Sequence, residues 1–120
     1  MSRKILVCED DASLRAVIRL VLELGGYGVE EASNGRAALE LLDQELPDLI
    51  LVDAKMPVLT GAELIAQIRA EPSRAAIPIV LLTGLPGSVP DDVRADAIVA
   101  KPFEKNDLLN VIGGLLQLPR

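Results

Sequence analysis

The chain has 120 residues, half of them hydrophobic, and 12 basic against 18 acidic side chains give a formal net charge of −6. That is one domain's worth of chain, expected over residues 1–120, with enough apolar material for a packed core. Its acidity argues against gripping a phosphate backbone, so no direct nucleic-acid contact is expected. One cysteine and no histidine exclude an internal disulfide, a zinc module, a Ser-His triad and histidine acid–base catalysis. Ile5-Leu6-Val7-Cys8 is the first apolar run and reads as a strand buried on both faces. Leu14, Val17, Ile18, Val21 and Leu22 follow at helical spacing, and Gly25-Gly26 stops that helix. Residues 27–32 form a weaker strand suited to a sheet edge. Ser33-Asn34 caps a helix running to about Glu45, and Pro47 precedes the buried strand Leu49-Ile50-Leu51-Val52. Thr60 and Glu63 have capping-box spacing and open a third helix through Arg69. Ile79-Val80-Leu81-Leu82 is a fourth strand. Pro86, Gly87 and Pro90 then leave room for only a short fourth helix, expected at residues 91–95. Ile98-Val99-Ala100 is a fifth strand. A last helix carries Leu108, Val111, Ile112, Leu115 and Leu116 on one face.

Alternating strands and helices imply βαβ units, a parallel sheet and helices on both faces. No run approaches the ~18 apolar residues of a membrane span. Arg3 and Lys4 precede a run too short for a secretory core. A cytoplasmic protein without a membrane partner is expected.

In parallel sheets, ligands bind beyond the carboxyl ends of the strands. Here the first strand ends in Glu9-Asp10-Asp11, the third in Asp53, the fourth in Thr83 and the fifth in Lys101-Pro102. Glu9, Asp10 and Asp53 would repel one another unless a cation intervenes. An all-oxygen set favours Mg²⁺, with Mn²⁺ as the alternative, over zinc. A carboxylate nucleophile, a hard cation, a hydroxyl and a lysine together suit phosphoryl transfer. Cys8 reads as a core side chain.

Four stretches, Lys4-Ile5-Leu6-Val7-Cys8-Glu9-Asp10-Asp11, Asp53-Ala54-Lys55-Met56-Pro57-Val58-Leu59-Thr60-Gly61, Leu82-Thr83-Gly84 and Lys101-Pro102-Phe103, resemble the response regulator receiver domains of two-component signalling. The resemblance spans essentially the whole chain. It implies a flavodoxin-like (βα)5 fold with a five-stranded parallel sheet of order 2-1-3-4-5, the fourth helix being short or irregular. Asp53 matches the phosphoacceptor. Asp10 matches the direct Mg²⁺ ligand, Glu9 the acid that holds the ion through water, and the backbone carbonyl of Lys55 a further ligand. Asp11 falls outside this set and suits a cap of the first helix. Thr83 matches the hydroxyl that moves to the phosphoryl group, Lys101 the lysine that pairs with it, and Pro102 a proline preceded by a cis bond. The implied donor is a histidine kinase or phosphotransfer protein, and the implied output is altered affinity for an unidentified downstream protein target. A stand-alone regulator is expected, with no enzymatic turnover beyond its own phosphorylation and dephosphorylation.

The chain departs from the family pattern in three places. The position three before the lysine, usually aromatic, is Ile98. The stretch from Thr83 to Lys101 is a few residues short. Lys55 stands two after the phosphoacceptor. Three rival readings fit these residues less well. A pseudo-receiver, binding a protein constitutively without phosphorylation, usually lacks part of the acid–hydroxyl–lysine set. An aspartate-nucleophile phosphatase needs a second aspartate where Lys55 stands. A flavin module would set its phosphate against the acidic first loop.

Overall fold

The computed structural model describes residues 3–117; residues 1–2 and 118–120, the outermost part of the expected domain, lie outside the described residues. Five strands, β1 (Lys4–Cys8), β2 (Gly28–Ala32), β3 (Leu49–Asp53), β4 (Ile79–Thr83) and β5 (Ala97–Ala100), form one sheet of order β2-β1-β3-β4-β5. Every pairing is parallel. Four α-helices occur among the described residues: α1 (Ala12–Leu24), α2 (Gly35–Gln44), α3 (Gly61–Ala70) and α4 (Lys105–Gln117). This is the expected flavodoxin-like three-layer sandwich.

Strand side chains alternate between the two faces, as a period of two requires. Ile5, Val7, Leu49, Leu51, Val80 and Leu82 pack on one side with Ile18 and Leu22 of α1 and Leu108 and Ile112 of α4. Leu6, Cys8, Ile50, Val52, Ile79 and Leu81 pack on the other with Ala38 and Leu42 of α2 and Leu64, Ile65 and Ile68 of α3. Buried β1, β3 and β4 are therefore continuous apolar runs, whereas β2 at the edge is only half-buried.

Local chemistry sets the helix starts. Asp11 Oδ1 accepts from Ser13 N and Leu14 N at 2.9 and 3.2 Å and so caps α1. Asn34 Oδ1 accepts from Ala37 N at 2.8 Å at the start of α2. At α3 the capping box closes in both directions. Thr60 Oγ1 accepts from Glu63 N at 3.2 Å, and Glu63 Oε1 accepts from Thr60 N at 2.9 Å.

The β4–β5 connection corrects one expectation. No helix forms at residues 91–95; the regular structure in this connection is a single 3₁₀ turn at Pro86–Ser88. Two residues explain the difference. Val93 and Ala95, two apart, both pack on the α2/α3 side of the sheet, which an extended chain achieves and a helix does not. Burial alternates from Val93 through Ala100, so the chain is already strand-like before β5 begins. A five-residue helix would also gain too few backbone bonds to offset its nucleation. In place of a helix, Arg69 of α3 holds the segment. Its guanidinium donates to the carbonyls of Ala75, Ile77 and Arg94 at 2.7, 2.7 and 3.0 Å and pairs with Asp96 Oδ2 at 2.9 Å. Asp96 Oδ2 also accepts from Ile79 N at 2.7 Å, which ties the far end of the segment to the start of β4.

Candidate functional site

The order of the sheet reverses between β1 and β3, and the pairing register carries the candidate residues to one edge there. Cys8 lies opposite Val52, so Glu9 and Asp53 follow side by side. Asp53 lies opposite Leu82 and Thr83 opposite Ala100. Lys101 N donates to the Thr83 carbonyl at 2.8 Å, which places Lys101 one step beyond β5 and beside Thr83. The Lys101–Pro102 peptide bond is cis.

Glu9, Asp53 and Thr83 are the buried polar side chains of the described residues. Asp53 Oδ1 pairs with Lys101 Nζ at 2.7 Å, and Glu9 Oε1 lies 3.7 Å from the same ammonium. Glu9 Oε2 accepts from Asp11 N at 3.1 Å, whereas Glu9 Oε1 is buried without a hydrogen bond. Exposed Asp10 completes a group in which Glu9, Asp10 and Asp53 each offer an oxygen within 4.8 Å of the others. Burial pushes the Glu9 carboxyl up to about 7; the Asp11 N–H opposes this, and the Asp53 and Asp10 carboxylates reinforce it. Burial acts to lower the Lys101 ammonium, but Asp53, with Glu9 and Asp10, outweighs it and holds Lys101 above its ordinary value.

One lysine facing three carboxylates leaves negative charge uncompensated, and two buried carboxylate oxygens, Glu9 Oε1 and Asp53 Oδ1, have no partner beyond that ammonium. Both features fit a hard divalent cation with oxygen ligands, Mg²⁺ or Mn²⁺. Lys55 is exposed and borders two openings. With Asp10, Ala54 and Thr60 it lines a cleft of about 330 Å³. With Asp53, Thr83 and Lys101 it lines a cavity of about 360 Å³ walled by Leu81, Val89 and Val93. Thr83 Oγ1 accepts from Leu85 N at 3.0 Å, so its hydroxyl hydrogen is available to a group entering this cavity. The structure thus brings Glu9, Asp10, Asp53, Lys55, Thr83 and Lys101 to one edge, while Ile98 lies exposed on β5.

Three features around this edge have no clear signal in the sequence. A Cβ on Gly61 would stand 2.5 Å from the Asp53 carbonyl oxygen and 2.9 Å from Ala54 Cα, so only glycine lets α3 start this close to the strand end. Val58 has φ +72° and lies between Pro57 O and Leu59 N, which are bonded at 2.7 Å in a γ-turn. A β-branched residue gives no local warning of that conformation. Arg15 reaches back from α1 to the Glu9 carbonyl at 2.8 Å.

A doubly wound sheet with acids, a hydroxyl and a lysine gathered at its switch point is the architecture of a receiver module. The response regulator receiver domain family model matches residues 5–113, and the chain belongs to that family. It is 38% identical over 110 residues to the probable transcriptional regulator ycf27 of Guillardia theta, a match covering 88% of this chain and 42% of that protein. The chain spans about half the length of the curated relatives it matches. The signal receiver domain of a signal transduction histidine kinase from Syntrophus aciditrophicus superposes with a TM-score of 0.90 at 32% identity, covering 96% of this chain and 90% of that one. The receiver domain of the sensor histidine kinase PA1611 from Pseudomonas aeruginosa PAO1, with magnesium coordinated in its active-site cleft, superposes at 0.89 with 27% identity, covering 98% and 100%. Among the described residues no helix is long and apolar enough to cross a membrane.

Proposed function

We propose that Asp53 accepts a phosphoryl group from a histidine kinase or phosphotransfer protein and that the modified domain changes its affinity for a protein partner. The observation that carries this reading is the Asp53–Lys101 contact at 2.7 Å, with Glu9 and Asp10 alongside. The Asp53 carboxylate forms the new P–O bond as the donor's P–N bond breaks, and the electron pair of that bond leaves with the donor imidazole. Lys101 pairs with a phosphoryl oxygen as charge builds there. Glu9, Asp10, Asp53 and the Lys55 carbonyl would hold Mg²⁺, or Mn²⁺, which supplies further neutralisation of phosphoryl charge. Thr83 donates its hydroxyl hydrogen to the phosphoryl group while still accepting from Leu85 N, so the chemical change reaches the exposed Leu85 directly.

Ile98 has no hydroxyl and a restricted χ1, so the switch runs through ordering of the segment after Thr83 rather than through rotation of an aromatic ring. We read residues 1–120 as one cytoplasmic receiver unit that catalyses only its own phosphoryl transfer and dephosphorylation. Its partners are proteins; the acidic surface disfavours nucleic acid.

Intact-mass measurement after incubation with acetyl phosphate and Mg²⁺ tests the reading. One phosphoryl adduct is expected, and it is lost in Asp53→Asn. Persistence of the adduct in that variant would move the acceptor elsewhere. Absence of an adduct from any donor would favour a constitutive, unphosphorylated binding module.

A further inference from the structure

The acid run Glu9-Asp10-Asp11 leaves β1 at the point where strand hydrogen bonding ends. Glu9 N donates to the Ala32 carbonyl at 3.0 Å, so one side of Glu9 is still held by the strand partner. Its carbonyl is bonded by a side chain of α1. Arg15 supplies the donor. Its Nη1 reaches the Glu9 carbonyl at 2.8 Å, and its Nε donates to Glu31 Oε1 of β2 at 2.9 Å. Arg15 is mostly buried, and the second oxygen of Glu31 is taken by Arg19. The guanidinium is therefore fixed from behind while it fixes the Glu9–Asp10 peptide in front.

We infer that Arg15 is a positioning residue for the Glu9–Asp10 acid pair, holding their shared peptide plane so that both carboxylates converge on the site beside Asp53. The inference rests on the reading of these acids as an Mg²⁺ site. Glu9 is held at three points: its amide by Ala32, its Oε2 by Asp11 N and its carbonyl by Arg15. The Asp10 side chain is exposed, so its aim depends on the peptide behind it. A planar fork spanning two acceptors is a property of arginine. A lysine keeps the charge but brings one ammonium to one acceptor at a time. The role thus separates from simple charge balance.

Calorimetric titration of the full chain with Mg²⁺ alone tests this, using wild type, Arg15→Lys, Glu31→Ala, Asp10→Asn and the Arg15→Lys/Asp10→Asn pair. Arg15→Lys is expected to weaken Mg²⁺ binding about tenfold, the lower end for loss of an outer partner of a metal ligand. Its melting temperature without metal should stay within about 3 °C of wild type, because no apolar side chain is removed. Glu31→Ala should weaken binding in the same direction by a smaller factor, and it carries the test if Arg15→Lys does not fold. Asp10→Asn should cost less in the Arg15→Lys background than alone, since both act on one carboxylate. Two results would overturn the inference while leaving the Mg²⁺ site standing: wild-type affinity in both Arg15→Lys and Glu31→Ala, or costs of Arg15→Lys and Asp10→Asn that simply add. A wild-type chain that binds no Mg²⁺ would overturn both readings.

Discussion

On the β1 flank of Asp53, the turn into α1 is tied at successive positions. Glu9 is bonded through amide, carboxylate and carbonyl, and Asp11 caps the helix that follows. On the β4–β5 flank, Thr83 is followed by Gly84, exposed Leu85 and a 3₁₀ turn, and the strong ties appear only at the far end, at Arg69 and Asp96. One flank holds acids whose mutual repulsion must be kept at fixed geometry. The other carries Thr83, whose hydroxyl bonds the phosphoryl group in the proposed function. A helix between β4 and β5 would have stiffened both ends of that crossover. A segment clamped at its far end leaves its first residues held by local turn bonds alone while preserving the sheet register. Local stability within one small domain thus follows the placement of a few polar anchors more than the amount of helix.

Native-state hydrogen exchange should expose the largest contrast. Amides of residues 84, 85, 87 and 88 should exchange at least about a thousandfold faster than those of β3, which open only on global unfolding. Addition of beryllofluoride and Mg²⁺ should raise protection at 84–88 and leave the β1–α1 turn unchanged. Unchanged protection there, with a gain on another face, would refute the ordering mechanism.

Removing the clamp should come next in size. Arg69→Ala removes the guanidinium donor from the carbonyls of Ala75, Ile77 and Arg94 and breaks the ion pair with Asp96, whose Oδ2 still accepts from Ile79 N. It should cost about 2 kcal/mol in urea denaturation, as for the loss of charge-assisted hydrogen bonds. A cost below about 1 kcal/mol would assign the segment's anchoring to Val89, Val93 and Ala95 instead.

The acid flank should respond to pH. The native Glu9 carboxyl keeps its proton up to about pH 7, so below that value an incoming cation must displace a proton. Mg²⁺ affinity should therefore fall about tenfold between about pH 8 and about pH 6, with the steepest change near 7. Glu9→Gln should flatten that profile. A wild-type profile already flat in this window would show that Glu9 is ionised throughout.

The smallest effect belongs to the turn between the flanks. Val58 is exposed and held at positive φ, so Val58→Gly loses little packing and relieves backbone strain. A gain of about 1 kcal/mol is expected from thermal or urea unfolding. A loss would mean that the Val58 side chain is anchoring the loop.

Much of this molecule was legible in the chain. Apolar runs of four or five residues mark the buried strands. Asp11, Asn34 and the Thr60/Glu63 pair mark helix starts, because a cap bonds to amides only two or three residues away. The residues that follow each run mark the ligand edge, since parallel strands deliver their carboxyl ends to the same side. Features that depend on register were not legible. Burial of Glu9 and the rise of its pKa need β1 and β3 to be paired, so that Asp53 stands beside it. The forked contact of Arg15 needs β2 to bring Glu31 alongside. The extended course of residues 93–100 needs the α3 face and the Arg69 clamp, against a local pattern that had allowed a short helix. The sequence by itself determined the layers, the order of elements and the identity of the acids, hydroxyl and lysine, because those signals act over one turn or one strand. Only the tertiary structure decided how rigidly each is held, because residues far apart in the chain must first be brought within hydrogen-bonding distance before their charges and burial act on one another.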